Sequence, residues 1–280
     1  MSVKRILEIG AFVAAATTLG ALFWLERKRP LRRRVEPLLL HTTRNAAAGA
    51  LAAITLQLAE RPIVSRLAGC VNDRRIGLLK MFHLPRLIET LLAVVLMDYT
   101  LFLWHMLTHK VPALWRLHLP HHIDLDLDAS TAMRFHFAEL MVAVVWRAGQ
   151  IVVIGVGPTS YAAWQLFLLP SILFHHSNVD LSPELDTKIN RWFVTPRMHG
   201  IHHSIVREET NSNWSSGLTV WDKLHKTFRA DMPAHDITIG VPAYRDPSDV
   251  TFATYARMPF DEQRETWKLP DDQEHKAIGT

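Results

Sequence analysis

One cysteine, Cys70, is all that 280 residues contain. That excludes an intramolecular disulfide framework and any cysteine-rich zinc or iron–sulfur site, so a metal held here is held by nitrogen and oxygen. The zinc-protease pattern His-Glu-x-x-His is missing too, because the pair His105 and His109 has methionine at 106. No Glu-x-x-His pair, the ligand source of soluble di-iron bundles, stands beside the histidine clusters. Charge is scarce: charged residues make up 21% of the chain and the net charge is +4. The basic residues gather where they suit membrane flanks rather than a nucleic-acid groove, so no nucleic-acid partner is expected.

What the chain has in quantity is apolar sequence and histidine. Hydrophobic residues reach 49%, mean hydropathy is +0.06, and there are sixteen histidines. This composition predicts an all-α integral membrane protein. Residues 6–24 form a nearly continuous apolar run followed by "ERKRPLRRR" (26–34), and six basic residues directly after it mark a retained anchor rather than a cleaved signal. Residues 45–60 are alanine-rich and read as a weak second span, and 61–86 mix charge with apolar residues as an interfacial connector would. Residues 87–109 are a strong span. Two more apolar stretches, 137–156 and 158–174, flank "GVGPTS" (155–160), which reads as a tight turn between antiparallel helices. After about residue 180 the chain is polar.

These readings predict about four to five transmembrane helices with a cytosolic, histidine-rich helical cap. The expected organisation is an anchor at 1–35, the second span and connector at 36–86, a catalytic core at 87–178 and a cap at 179–280. The strong span ends at His109, "LHLPHH" (117–122) follows, and the hairpin returns at His175 and His176, so the histidines emerge on one membrane face. The basic loop at 26–34 and the basic tail assign that face to the cytoplasm, although six basic residues between 61 and 86 then fall on the opposite side.

Helical spacing sets His105 and His109 toward a common metal, and likewise His118, His121 and His122, and His199, His202 and His203. Pro120 and Pro196 place both His-x-x-His-His boxes near helix starts. Eight imidazoles in three arrays exceed one zinc site, so two ions are implied, and redox-active iron remains once the absent motifs are set aside. Isolated histidines, His41, His83, His225, His235 and His275, read as ordinary surface or core residues. Asp98, seven positions before His105, reads either as an orienting partner for an imidazole or as a buried polar group. "IDLDLDAS" (123–130) reads most simply as helix capping by Asp128 or Ser130. The tryptophans at 104, 115, 192, 214 and 221 include interfacial anchors.

"HMLTH" (105–109), "LHLPHH", "RFHFAEL" (134–140), "FHHSNVDL" (174–181) and "TPRMHGIHHS" (195–204) together resemble the histidine boxes of the fatty acid hydroxylase / sterol desaturase superfamily, membrane-bound non-haem di-iron oxygenases. "WDKLHKTF" (221–228) and "ITIGVPAYRDP" (237–247) resemble the C-terminal signature of its bacterial members. The resemblance implies O2-dependent hydroxylation or desaturation of a lipid C–H bond at two iron ions, in the inner membrane of a cell. It also implies electrons from a separate electron-transfer protein, since no haem-carrier or flavin-binding domain is apparent. Carried over box by box, it implies the ligands His105, His109, His118, His121, His122, His176, His199, His202 and His203. The chain has "HHSNVD" where fatty acid 2-hydroxylases carry a further His-x-x-x-His, leaving His176 with Asn178 or Asp180 to fill the place and His175 as a neighbour. Related sequences often read His-Pro where this one has His136-Phe137, so His136 is open as a ligand or supporting group. The competing readings are a membrane metal-dependent hydrolase, which needs neither O2 nor reductant, and a non-catalytic metal-binding membrane protein.

Overall fold

The computed structural model describes residues 3–233 and 236–268, and among them the regular structure is helical, with three isolated bridges. His235 and His275 lie outside the described residues. Helix α1, Val3–Lys28, ends with Arg27 and Lys28 in its last turn, where cations suit the negative end of the helix dipole. Helix α2, Leu38–Thr55, follows Pro37 and runs through a π-helical turn, Leu56–Glu60, into α3, Arg61–Arg74. Pro62 accounts for the widened turn: it has no N–H for the carbonyl of Leu58 and its ring crowds that carbonyl. The connector expected along the membrane surface is thus partly a bundle helix, with Val64, Ala68 and Val71 buried in a core shared with Ile151 and Ile154.

Helix α4, Arg86–Lys110, leads through Val111 into α5, Pro112–His122. Helix α6, Phe137–Ile154, leads through "GVGPTS" into α7, Pro158–His176, with Gly155 in the left-handed region at φ 89° closing α6. The two run in opposite directions but are not the packed hairpin expected, because α6 lies against α3 and α4 while α7 lies against α1 and α4. Gly77, at φ 96°, packs there so closely that a Cβ on it would overlap the Gly155 nitrogen. This glycine contact marks the end of the bundle opposite the histidines. Helices α1, α4 and α7 run toward the histidine end, and α2–α3 and α6 run away from it.

Three helical stretches are long and apolar enough to cross a membrane: Arg5–Lys28, Arg86–Lys110 and Phe137–Ile154. Helices α2 and α7 run beside them between the same two ends without being among the three. Phe12, Leu87, Val145 and Val153 are 74%, 70%, 74% and 70% exposed, a surface suited to an apolar solvent. The remaining helices are short: α8 (Pro183–Ile189), α9 (Pro196–His202), α10 (Arg207–Thr210), α11 (Val220–His225) and α12 (Phe252–Arg257). They form a cap whose core joins Leu119 of α5 and Ile123 just after it to Val241, Tyr244 and Met258.

Candidate metal centre

Four helices bring the histidines together, with His176 supplied by the end of α7. His105 and His109 stand one turn apart on α4, His118 and His122 one turn apart on α5, and His199 and His203 one turn apart at α9. Two groups result: His105, His109, His118, His122 and His202 form one, and His121, His176, His199 and His203 the other. Within each group every residue offers a ligand atom within 4.8 Å of the others.

The grouping corrects the expectation that each box faces one metal. His121 and His122 are adjacent, about 100° apart around a helix, and their rings lie 5.4 Å apart at 89°. His202 and His203 diverge in the same way, 5.3 Å apart at 83°. Each His-x-x-His-His box therefore gives its one-turn pair to one group and its middle histidine to the other.

Pro120 is a second correction, because it sits inside the last turn of α5 rather than near a helix start. The carbonyl it cannot serve, that of Arg116, instead accepts from Gln263 Nε2 at 3.2 Å. Pro196 does open its helix, where Thr195 accepts from the Met198 N–H.

Hydrogen bonds orient the rings. The Nδ1 of His105 meets the Trp214 carbonyl at 2.8 Å, that of His202 the Ser212 carbonyl at 2.8 Å, and that of His176 the Ile172 carbonyl at 2.9 Å. His118 Nδ1 meets Glu139 Oε1 at 3.0 Å, with Glu139 itself buried. An Nδ1–H bonded to oxygen leaves Nε2 as a lone pair aimed inward.

Those inward nitrogens test whether a metal fits. In the first group Nε2 of His109, His118, His122 and His202 is buried without a partner. In the second, Nε2 of His176 lies 3.1 Å from those of His121 and His199, and His203 Nε2 lies 3.1 Å from that of His199. Neutral imidazoles cannot satisfy all three contacts. His176 has only a lone pair there, so His199 must donate to it and cannot also accept from His203. A cation among the four lone pairs resolves both the conflict and the burial cost, so the residues fit a metal in each group. Burial first, and the neighbouring imidazoles next, push His121, His122, His199 and His203 well below the usual histidine range. Burial and His105 do the same to His202. Neutral rings are the ligating form.

The other residues singled out in the sequence stand outside both groups. His136 caps α6, accepting from the Ala138 N–H at 3.1 Å and donating to the Ala256 carbonyl at 3.2 Å, and it takes the capping place expected of Asp128 or Ser130. His175 donates through Nδ1 to the Ser216 carbonyl at 3.0 Å beside His199. Asn178 clamps the backbone of Arg32 from both sides, and the Asp180 N–H donates to the Arg29 carbonyl at 2.8 Å. Asp98 accepts from the Leu218 N–H and from Trp221 Nε1 at 3.0 and 2.7 Å, so it anchors the cap rather than an imidazole. Glu139, quoted within "RFHFAEL", is the residue that pattern reading missed; its place one helical turn past His136 was the available signal.

His41 is a core residue, fully buried. With Glu36 and Asp124 it makes a third group of metal-ligating type. Asp124 is already served by His41, Asn45 and Thr131 at 3.0 Å each and by Arg44 at 3.2 Å, and Arg44 also grips Glu36. Burial would raise the Asp124 carboxyl, but His41 and then Arg134 hold it far below the usual range. This is an ion-pair network that locks residues 123–130 to α2, with its cations already in place.

Residues 90–227 match the fatty acid hydroxylase family. The ornithine lipid hydroxylase OlsE of Rhizobium tropici is 31% identical over 159 residues, 56% of this chain and 46% of its own length. The alkylglycerol monooxygenase of Homo sapiens is 29% identical over 136 residues, 48% of this chain and 29% of its own. The cholesterol 25-hydroxylase of Homo sapiens is 29% identical over 153 residues, 51% of this chain and 53% of its own. The chain thus spans about half or less of the length of these relatives. No solved structure matches it.

Proposed function

The chain belongs to the fatty acid hydroxylase family through residues 90–227, and on that premise we propose that it is a membrane-bound lipid oxygenase with two non-haem iron ions. The observation that carries this reading is the pair of histidine groups, one with four inward Nε2 atoms buried without a partner and the other with three imidazole contacts that neutral rings cannot all satisfy. His105, His109, His118, His122 and His202 would hold one ion, and His121, His176, His199 and His203 the other. Bound iron would supply the activation of O2 that an unactivated lipid C–H bond requires, with electrons from a separate carrier protein. Hydroxylation is preferred to desaturation because the relatives are named as hydroxylases and a monooxygenase.

The chain's own part is to hold the ligands neutral, oriented and dry. The carbonyls of Trp214, Ser212 and Ile172 and the Glu139 carboxylate fix ring tautomers. Phe135 stacks on His121 at 4.6 Å, and Trp115 lies 5.0 and 5.3 Å from His109 and His122, excluding water from the outer sides of these rings. The family match runs across residue 178, so segments 87–178 and 179–280 act as one catalytic unit in this reading. The basic residues at 27–34 lie at the histidine end, which supports a cytoplasmic site in an inner membrane.

The test is purification in nanodiscs with iron counted per chain, then incubation with membrane lipid, O2 and reductant. The expected product is a lipid with one added oxygen, formed only when O2 and reductant are both present. Lipid cleavage in anaerobic buffer without reductant would overturn the reading in favour of the hydrolase. Iron binding with lipids unchanged, in cells as well, would leave a metal-binding protein.

A further inference from the structure

The oxygen atoms that orient His105, His118, His176 and His202 have no counterpart at His121 and His122. His121 Nδ1 and both ring nitrogens of His122 are buried without a hydrogen-bond partner. Where these two side chains stand is therefore set by ring packing and by the backbone of the last turn of α5, which carries both. That turn is weakly held by its own helix. Its last helical donor, the Ile123 N–H, goes to the Leu119 carbonyl at 3.1 Å. The next carbonyl, that of Pro120, accepts instead from Arg134 Nε at 3.1 Å.

Arg134 is fully buried. Its Nη1 donates to Asn45 Oδ1 at 3.0 Å, Asn45 Nδ2 donates to Asp124 Oδ2 at 3.0 Å, and the guanidinium lies 5.1 Å over the Tyr255 ring. A buried guanidinium is costly, and an apolar residue of similar volume would fill this space without that cost. What arginine adds is a cation and a planar donor fork at the negative end of the α5 dipole. The next residue acts on the same turn from the other side. Phe135 stacks on His121, with ring centroids 4.6 Å and planes 12° apart, and the Tyr255 hydroxyl donates to the Phe135 carbonyl at 2.9 Å. Residues 134 and 135 thus grip His121 through its backbone and through its ring. We infer that Arg134 is a positioning residue for the metal centre: its Nε holds the last turn of α5 at the rotation that sends His121 to one group and His122 to the other. The inference rests on the reading that both groups bind iron.

Variants of the full chain in nanodiscs separate the donor from the charge. Asp124→Asn removes the counter-charge and leaves Arg134 Nε in place. Arg134→Met combined with Asp124→Asn removes the charge, the counter-charge and the donor together, and so leaves no lone cation at 134. Arg134→Met alone, which leaves Asp124 to His41 and Arg44, is a second route to the same loss of donor. Iron is counted per chain, and the affinity for each ion is read by competition with a chelator well below the Tm of every variant. Asp124→Asn is expected to bind two ions as the unsubstituted chain does, with a lower Tm. Both Arg134→Met chains are expected to bind both ions about tenfold or more weakly, because His121 and His122 belong to different groups. A lower Tm with both affinities unchanged overturns the inference, since Arg134 is then only a counter-charge to Asp124. Weakening confined to one ion, or already complete in Asp124→Asn, overturns it too. An unsubstituted chain that binds no iron removes the metal reading and the inference together, whereas unchanged affinity in the Arg134→Met chains removes the inference alone.

Discussion

Glu139 is the one carboxylate, among the described residues, that hydrogen-bonds a histidine of either group. Nine neutral imidazoles carry no negative charge, so in the proposed centre Glu139 would be the carboxylate placed against a ligand, His118. Glu139→Gln keeps an oxygen for His118 Nδ1 but removes the charge, whereas Glu139→Ala removes both. Iron affinity is expected to fall roughly 10–100-fold in Glu139→Ala and by less in Glu139→Gln, read by competition with a chelator. The depressed values of His121, His122, His199, His202 and His203 set a pH dependence. Their folded values lie below the unfolded one, so the native state binds fewer protons and stability rises with pH. It is complete above the unfolded imidazole value of about 6.5 and declines as pH falls below it. Bound iron and Tm should be level above about pH 7 and fall together below about pH 6, and iron content that does not change on acidification would contradict this.

At the scale of elements, α5 and α9 each contribute to both histidine groups because adjacent histidines leave a helix in different directions. Paired substitutions therefore act by group and not by box. His122→Ala with His202→Ala, from different boxes but one group, should leave about one iron per chain. His121→Ala with His122→Ala, from one box but different groups, should deplete both sites, as elemental analysis would show. The loop at 123–130 is held by charge rather than by apolar contact alone. Asp124→Asn leaves His41, Arg44 and Arg134 short of a buried counter-charge and is expected to cost about 3–5 kcal/mol, seen as a lower Tm. The pattern of "IDLDLDAS" announced three carboxylates but not their partners, which lie about eighty or more residues earlier at His41, Arg44 and Arg34.

Across the whole molecule, α1 lies outside the segment matched to the family and still reaches the centre. Glu26 Oε1, in its last turn, accepts the Ala129 N–H at 2.8 Å and the Asn178 N–H at 2.7 Å, so the anchor ties together the 123–130 loop and the chain just after His176. Glu26→Ala strands two buried N–H groups at about 1–3 kcal/mol each. The variant should show a lower Tm and release iron to a chelator faster from the group containing His176. Unchanged release would mean that α1 serves only as an anchor.

Apolar run length and one-turn histidine spacing are local quantities, so the chain by itself determined an all-helical body, the break between α6 and α7 and eight of the nine histidines that fall in the two groups, His176 entering only through the resemblance. Local spacing says which side chains share a helix face. It does not say which face meets which neighbour. The division of each box between two groups, the pairing of Glu139 with His118, the capping role of His136 and the enclosure of His41 between Asp124 and Asp128 were decided only by packing. Each depends on contacts between residues well apart in the chain or on the rotation of one packed helix against another, and neither is written in local periodicity.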